Sequence, residues 1–240
     1  MDTIKIDSKN AKMIAHRGLS GIEKENTCSA FVAAGNRPAY FGIETDVHRT
    51  VDGHFVIFHD DNTDRVALDS MVIEESTFDT LRKLQFTDID GKRGRADLVM
   101  PTLLEYINIC KKYEKTAILE LKNAFSEEDV YRIVDEIKTT GYLEHVVFIS
   151  FELVNLIALR KRYPDQPAQY LLEFWNDGDL DTLVKNNLDL DIDYTVLTKE
   201  IIDQVHAAGH LVNAWTVNDP AEGEKLANWG IDFITSNILE

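Results

Sequence analysis

The sequence predicts an α/β fold, a (β/α)8 TIM barrel with a small insertion between strand 2 and helix 2 and a missing or vestigial helix 8. Short apolar or β-branched runs alternate with amphipathic segments of helical period. Eight such repeats within 240 residues favour a closed barrel over an open doubly wound sheet. Only Ser236 to Glu240 follow the last predicted strand, so no full eighth helix is expected.

The position of each element follows from the spacing of its apolar residues. The predicted strands are residues 13–15, 41–47, 117–121, 146–151, 168–172, 188–194, 210–217 and 231–235. The predicted helices are residues 27–34, 103–113, 128–138, 153–163, 180–186, 199–208 and 221–229. The insertion spans about residues 48–100, with a strand-like run at 55–58 and a solvated loop at 88–97. We interpret residues 1–240 as one barrel domain.

The charge of the chain argues against several classes of partner. Asp and Glu number 42 against 25 Lys and Arg, a net charge of −17. Such a chain repels nucleic acid and anionic lipid, so we expect neither a nucleic-acid partner nor stable membrane association. The first residues lack the apolar core of a secretory signal, and a cytoplasmic location is expected. The oligomeric state stays open, and an anionic substrate would require locally concentrated positive charge.

Three carboxylates follow buried strand runs at the end of a barrel where catalytic residues collect. Glu44 and Asp46 share one face of strand 2, and Glu120 ends strand 3. Carboxylates packed together repel one another, whereas a divalent cation prefers such oxygen ligands. The sequence therefore indicates a site for one hard metal ion. Alternatively, these acids cap neighbouring helices or pair with Arg49 and Lys122.

Two histidines end neighbouring strands, His16 after strand 1 and His59 after the insertion strand. A pair of imidazoles suits acid–base chemistry near neutral pH, although each taken separately could be structural. Arg17 and Lys122 would supply positive charge for a phosphate ester, and Arg17 could equally form an ion pair at the barrel rim. Trp215 ends strand 7, either in the core or as a wall of the substrate pocket.

The remaining polar candidates receive structural interpretations. Asn26 or Thr27 is expected to cap the first helix. Cys28 and Cys110 have no metal or redox spacing and are expected to be reduced, within helices. The other histidines are expected in surface turns or helix ends without a role: His48, His54, His145, His206 and His210.

The chain carries seven motifs: AHRG, ENT, ETDVHRTVDGHFVIFHD, PTLLE, LELK, ISF and AWTVN. In these motifs the chain resembles the glycerophosphodiester phosphodiesterase family, and the resemblance spans residues 14–237. The resemblance implies a barrel enzyme that hydrolyses glycerophosphodiesters to glycerol 3-phosphate and an alcohol, with one divalent ion, Ca²⁺ or Mg²⁺. It assigns acid–base roles to His16 and His59, metal ligation to Glu44, Asp46 and Glu120, and substrate or phosphate contacts to Arg17, Lys122 and Trp215. The chain departs from the family pattern at His54 and at Thr235-Ser236-Asn237.

Two other functions remain open. A related enzyme of the same barrel group that cleaves lysophospholipid or sphingomyelin would carry an apolar rim, whereas residues 60–97 are rich in charged side chains. A non-catalytic binding barrel would tolerate loss of either histidine, and both are present. Either histidine could be the base. Because no Ser or Cys adjoins them, the favoured nucleophile is the substrate's own 2-hydroxyl.

Overall fold

The computed structural model, which describes residues 2–240, contains a closed barrel of eight parallel strands. The strands pair in the order β1-β9-β8-β7-β6-β5-β4-β2, and pairing of β1 with β2 closes the ring. β3 pairs antiparallel with β2 and stands outside the ring. The strands are β1 Lys12–Ala15, β2 Tyr40–Arg49, β3 Phe55–Ile57, β4 Thr116–Leu121, β5 Val146–Ser150, β6 Ala168–Leu172, β7 Asp189–Asp193, β8 Val212–Trp215 and β9 Phe233–Ser236. The predicted TIM barrel is confirmed.

Helices surround the barrel and follow every parallel strand except the last. They are α1 Cys28–Gly35, α2 Phe78–Leu81, α3 Leu103–Lys112, α4 Glu127–Lys138, α5 Leu153–Arg162, α6 Asp179–Asn186, α7 Lys199–Ala207 and α8 Pro220–Asn228. Several begin at a side-chain cap, and Thr102 and Glu105 form a reciprocal capping box on α3. In the part of the chain that the structure describes, no helix follows β9, as expected. None of the helices within residues 2–240 has the length and apolar character needed to cross a bilayer.

The apolar core has two main parts that together position the strand ends. Between barrel and helices, side chains such as Ile43, Leu119 and Tyr106 are completely buried, and the Tyr106 hydroxyl donates to the Ile43 carbonyl at 2.7 Å. Inside the barrel, Ile14, Ile118, Ile149, Leu171 and Phe233 form a separate cluster. Because side chains alternate along a strand, His16 and Glu120 face the same interior two residues beyond Ile14 and Ile118.

The insertion folds over the end of β2 around its own apolar cluster, which comprises Val56, Phe58, Val66, Ile73, Leu81, Leu84, Phe86, Leu98 and Met100. The expected strand is β3, and residues 88–97 are largely exposed, as expected for a solvated loop. The antiparallel pairing of β3 extends β2 to Arg49, beyond its predicted end at residue 47.

One histidine lies where the sequence did not place it. His48 was expected in a surface turn or at a helix end, but it lies in β2 opposite Val56 and its side chain is completely buried. Its ring nitrogens lie 3.3 Å from Glu74 Oε1 and 3.3 Å from the His59 carbonyl oxygen. The expectation was wrong because the insertion covers this end of β2.

Candidate active site

A cavity of about 90 Å³ opens at the carboxyl ends of the barrel strands. His16 follows β1, Glu44 lies in β2, His59 follows β3 and Glu120 lies in β4, and all four line this cavity. The parallel strands β1, β2 and β4 end on the same side of the barrel, so His16, Glu44 and Glu120 meet there, and the antiparallel strand β3 leads His59 back to the same cavity. The structure thus brings together the two histidines and the acidic residues that the sequence singled out.

Glu44, Asp46 and Glu120 are buried, and one carboxylate oxygen from each lies within 4.8 Å of the others. Burial, followed by the charges of Asp46 and Glu120, raises the pKa of Glu44 well above its usual value. Burial and the neighbouring Asp46 raise the pKa of Glu120 to about 7. Burial would also raise the pKa of Asp46, but Lys122 and Arg17 hold it below its usual range.

Two of these three residues, Asp46 and Glu120, have a buried carboxylate oxygen that is available to a cation. Lys122 Nζ lies 2.8 Å from Glu120 Oε1 and 3.5 Å from Asp46 Oδ1, yet both of these buried oxygens accept no hydrogen bond. A buried acceptor without a partner is costly unless another group satisfies it. Hard divalent cations bind carboxylate oxygens, so this cluster fits such an ion.

Arg17 takes part in an ion-pair network at the cavity edge. Its Nη1 donates to Glu25 Oε1 at 2.9 Å, its Nε lies 3.8 Å from Asp46 Oδ2, and its backbone N–H donates to Glu44 Oε2 at 2.7 Å. The rim ion pair considered for Arg17 is therefore present. Arg49 pairs with Asp129 at 3.1 Å, so it does not neutralise the three carboxylates.

His16 is held by an amide. Its Nδ1 lies 2.7 Å from Asn237 Oδ1, which also accepts from Ser20 Oγ at 2.8 Å. An amide oxygen only accepts, so Nδ1 carries the hydrogen and Nε2 keeps a lone pair. Nε2 lies 3.9 Å from Glu44 Oε2. Burial and the adjacent Arg17 lower the pKa of His16 to about 4, which keeps the ring neutral near pH 7.

His59 is held by a carboxylate. Its Nδ1 lies 2.6 Å from Asp60 Oδ1, which leaves Nε2 for the cavity that the ring lines. Arg65 fixes Asp60 through a 2.8 Å bond from Nε and also bonds Glu25. Burial lowers the pKa of His59, and the charge of Asp46 and the hydrogen bond with Asp60 oppose this shift.

Trp215 forms a wall of the cavity at the end of β8. Its ring meets the Phe151 ring edge-on, with centroids 5.5 Å apart. Its indole Nε1 is buried and has no hydrogen-bond partner. The sequence left two positions open for Trp215, the core or a wall of the pocket, and the structure has it at the wall.

Sequence reasoning missed four residues that hold or line the site. Asp60 directly follows His59 in the sequence, and this adjacency could have identified it as the partner of that histidine. Asn26 was expected as a possible helix cap, but it donates to Asp46 Oδ2 at 2.7 Å while Thr27 caps α1. Asn237 and Asp191 reach the site from distant strands, and nothing near them in the sequence indicates it.

Comparison with known proteins agrees with this arrangement. Residues 16–239 match the family described as the Glycerophosphoryl diester phosphodiesterase family. The glycerophosphodiester phosphodiesterase of Bacillus subtilis (strain 168) is 26% identical over 247 residues, covering 93% of this chain and 82% of that protein. That of Caldanaerobacter subterraneus subsp. tengcongensis is 27% identical, covering 95% and 94%. A phosphodiesterase from Oleispira antarctica, solved with the product sn-glycerol-3-phosphate, superposes with a TM-score of 0.83 at 26% identity, covering 98% and 96%.

Proposed function

Because the chain belongs to the glycerophosphoryl diester phosphodiesterase family, we propose that it hydrolyses glycerophosphodiesters to glycerol 3-phosphate and an alcohol. One observation carries the proposal. Two imidazoles, each held through Nδ1 by a different partner, line one cavity together with members of a buried cluster of three carboxylates. This combination supplies a base, an acid and a cation site around one small volume.

Glu44, Asp46 and Glu120 would hold one divalent ion, Ca²⁺ or Mg²⁺. When bound, the ion supplies Lewis-acid polarisation of a phosphoryl oxygen and balances the negative charge of the diester. Arg17 and Lys122, beside these carboxylates, would contact the phosphate oxygens and add positive charge that the chain as a whole lacks. Trp215 would form the wall beside the bound substrate.

The two histidines differ in a way that suggests their roles. His16 is neutral near pH 7, and its Nε2 lone pair is free to accept a proton. The partner of His59 Nδ1 is the carboxylate of Asp60, whose negative charge stabilises a positive charge on the ring, whereas the partner of His16 Nδ1 is the neutral amide of Asn237. In the forward step His16 is therefore the base, and His59 donates a proton to the leaving oxygen.

The nucleophile we favour is the 2-hydroxyl of the glycerol. His16 takes its proton as the oxygen attacks phosphorus, and the P–O bond to the alcohol breaks while His59 protonates the leaving oxygen. Water then opens the cyclic phosphate with the histidines in exchanged roles. A diester without the 2-hydroxyl should bind but resist cleavage, and cleavage within about tenfold of the parent would favour attack by water instead.

The direct test measures glycerol 3-phosphate release from glycerophosphocholine, glycerophosphoethanolamine, glycerophosphoglycerol and glycerophosphoinositol, with chelator, calcium or magnesium. We expect release that stops in excess chelator. Glu44→Gln should abolish turnover and weaken calcium binding measured by calorimetry, whereas Glu128→Gln, an exposed helix position, should change neither. Cleavage of lysophosphatidylcholine or sphingomyelin in preference to these substrates would support the related lipid-cleaving enzyme. No turnover of any of them would support a binding barrel.

A further inference from the structure

One ionisable residue of the cavity has no part in the mechanism above. Asp191 lies in the middle of β7, between Leu171 on β6 and Asn213 on β8, and lines the same cavity as the two histidines. Its side chain points into the barrel and the residue is 1% exposed. Its Oδ1 atom is buried and has no hydrogen-bond partner.

The usual reasons for burying a carboxyl group do not apply to Asp191. Among the residues that the structure describes, it forms no ion pair with a lysine, arginine or histidine, and it is not part of the cluster of Glu44, Asp46 and Glu120. Burying a carboxyl group without full hydrogen bonding destabilises a protein. A buried polar atom without a hydrogen-bond partner therefore calls for an explanation, and one explanation is that the atom binds a ligand.

A second polar atom of the same cavity also lacks a partner. The indole Nε1 of Trp215 can only donate, and it is buried without an acceptor. Leu171 and Ile149, both apolar, line the cavity near these groups. An acceptor and a donor set among apolar side chains suit an alcohol, because a hydroxyl group both donates and accepts a hydrogen bond.

Burial and the charge of Glu120 raise the pKa of Asp191 well above its usual value, and these effects outweigh its hydrogen bond with Asn213. A neutral carboxylic acid is a poor partner for a cationic headgroup such as choline. It is a good partner for a hydroxyl, with one oxygen that accepts and one that can donate. This supports recognition of a neutral polar group.

We propose that Asp191 is a specificity-determining residue that hydrogen-bonds the primary hydroxyl of the substrate's glycerol. The inference rests on the proposed function, in which the 2-hydroxyl is engaged by His16 and the primary hydroxyl is the one left to be recognised. Asp191 would thereby favour glycerol diesters over diesters of simpler alcohols.

The test compares glycerophosphocholine with its analogue in which hydrogen replaces the primary hydroxyl. The analogue keeps the 2-hydroxyl, the phosphate and choline, which carries no hydroxyl group once esterified. For the unaltered protein we expect kcat/KM to be about 10- to 100-fold lower for the analogue, since Asp191 is then left unpaired. In Asp191→Leu, kcat/KM for glycerophosphocholine should fall by a similar factor, and kcat/KM for the analogue should change little. The ratio of the two kcat/KM values should therefore approach one.

Two variants control this result. Asp191→Asn keeps an acceptor and a donor of the same shape and should retain most of the discrimination. Asp193→Leu makes the same substitution at the end of β7, outside the cavity lining, and should leave the ratio unaltered. Thermal unfolding of Asp191→Leu should show no loss of stability, because an apolar side chain replaces a poorly satisfied carboxyl.

Equal kcat/KM for the two substrates in the unaltered protein would overturn the inference while leaving the proposed function intact, and this measurement requires no variant to fold. A ratio in Asp191→Leu equal to that of the unaltered protein would also overturn it. Failure to release glycerol 3-phosphate from glycerophosphocholine would overturn the proposed function, and this inference with it.

Discussion

Replacing Glu120 with glutamine should change how the free energy of unfolding of metal-free protein depends on pH. Burial and then Asp46 raise the pKa of Glu120 to about 7 in the folded protein, whereas an unfolded glutamate titrates near about 4.3. Between these two pKa values the unfolded chain releases the Glu120 proton that the folded chain keeps. The stability that protonated Glu120 contributes below its unfolded pKa is therefore lost as pH rises towards 7. Glutamine carries no such proton.

The size of the effect follows from the pKa difference. One pKa unit corresponds to about 1.4 kcal/mol. The raised pKa of Glu120 therefore costs the folded protein about 2 kcal/mol of stability between about pH 5.5 and pH 8. The stability of the unaltered protein relative to Glu120→Gln should fall by that amount. Comparing the two proteins cancels the groups whose pKa does not depend on Glu120, such as the buried His16.

Urea unfolding in chelator at the two pH values measures this difference, with Glu128→Gln as the control for loss of an exposed carboxylate. Calcium should then have the opposite effect and stabilise the unaltered protein relative to Glu120→Gln. At a concentration 100 times its Kd, a ligand of the folded state adds about 2.7 kcal/mol, and we expect this gain for the unaltered protein and little of it for Glu120→Gln. A difference independent of pH, or equal stabilisation by calcium, would refute the reasoning about this carboxylate cluster.

Three further predictions separate chemistry from stability. His16→Ala and His59→Ala should each lower kcat by about 10² to 10⁴. The fold reduction in the double variant should be smaller than the product of the two single reductions. Near-normal turnover without His59 would indicate that this residue is structural. Asp60→Asn should lower kcat by about 10- to 100-fold with little change in KM, because His59 loses the carboxylate that orients it; an unchanged kcat would contradict this. Thr102→Ala should reduce the free energy of unfolding by about 1 kcal/mol, measured with urea, through loss of the cap shared with Glu105; kcat should stay constant, and a loss of activity at full folding would count against a purely structural cap.

The barrel and its reactive strand ends were predictable because their signals are local. Strand β4 was expected at residues 117–121 and runs from Thr116 to Leu121. The alternation of side chains along such a strand is enough to place Glu44 and Asp46 on one face. Repetition of the same strand-and-helix unit then implies that the strand ends converge.

The insertion was less predictable because its packing depends on another strand. Residues 55–58 read as strand-like, but their sequence does not say which strand they pair with. In the structure β3 pairs with the end of β2, opposite His48, and the apolar cluster of the insertion covers that residue. The burial of His48 follows from this pairing and from nothing in its immediate neighbours.

The groups that orient the histidines were also hidden in the sequence. Asn237 and His16 are 221 positions apart, and their contact exists only once the barrel has closed. Asn26 had a sufficient local explanation as a helix cap, which concealed its bond to Asp46. Arg65 joins Glu25 to Asp60 across the insertion, a contact set by the fold of that segment.

The central claim is that this site breaks the bond between phosphorus and the alcohol of a glycerophosphodiester, leaving phosphate on the glycerol. Phosphorus NMR of a reaction with glycerophosphocholine tests it most directly, because the two possible monoester products have different resonances. We predict glycerol 3-phosphate as the product, preceded by a transient cyclic phosphate, and no reaction after chelation. Phosphocholine as the product, or an unchanged spectrum with calcium or magnesium present, would contradict the account.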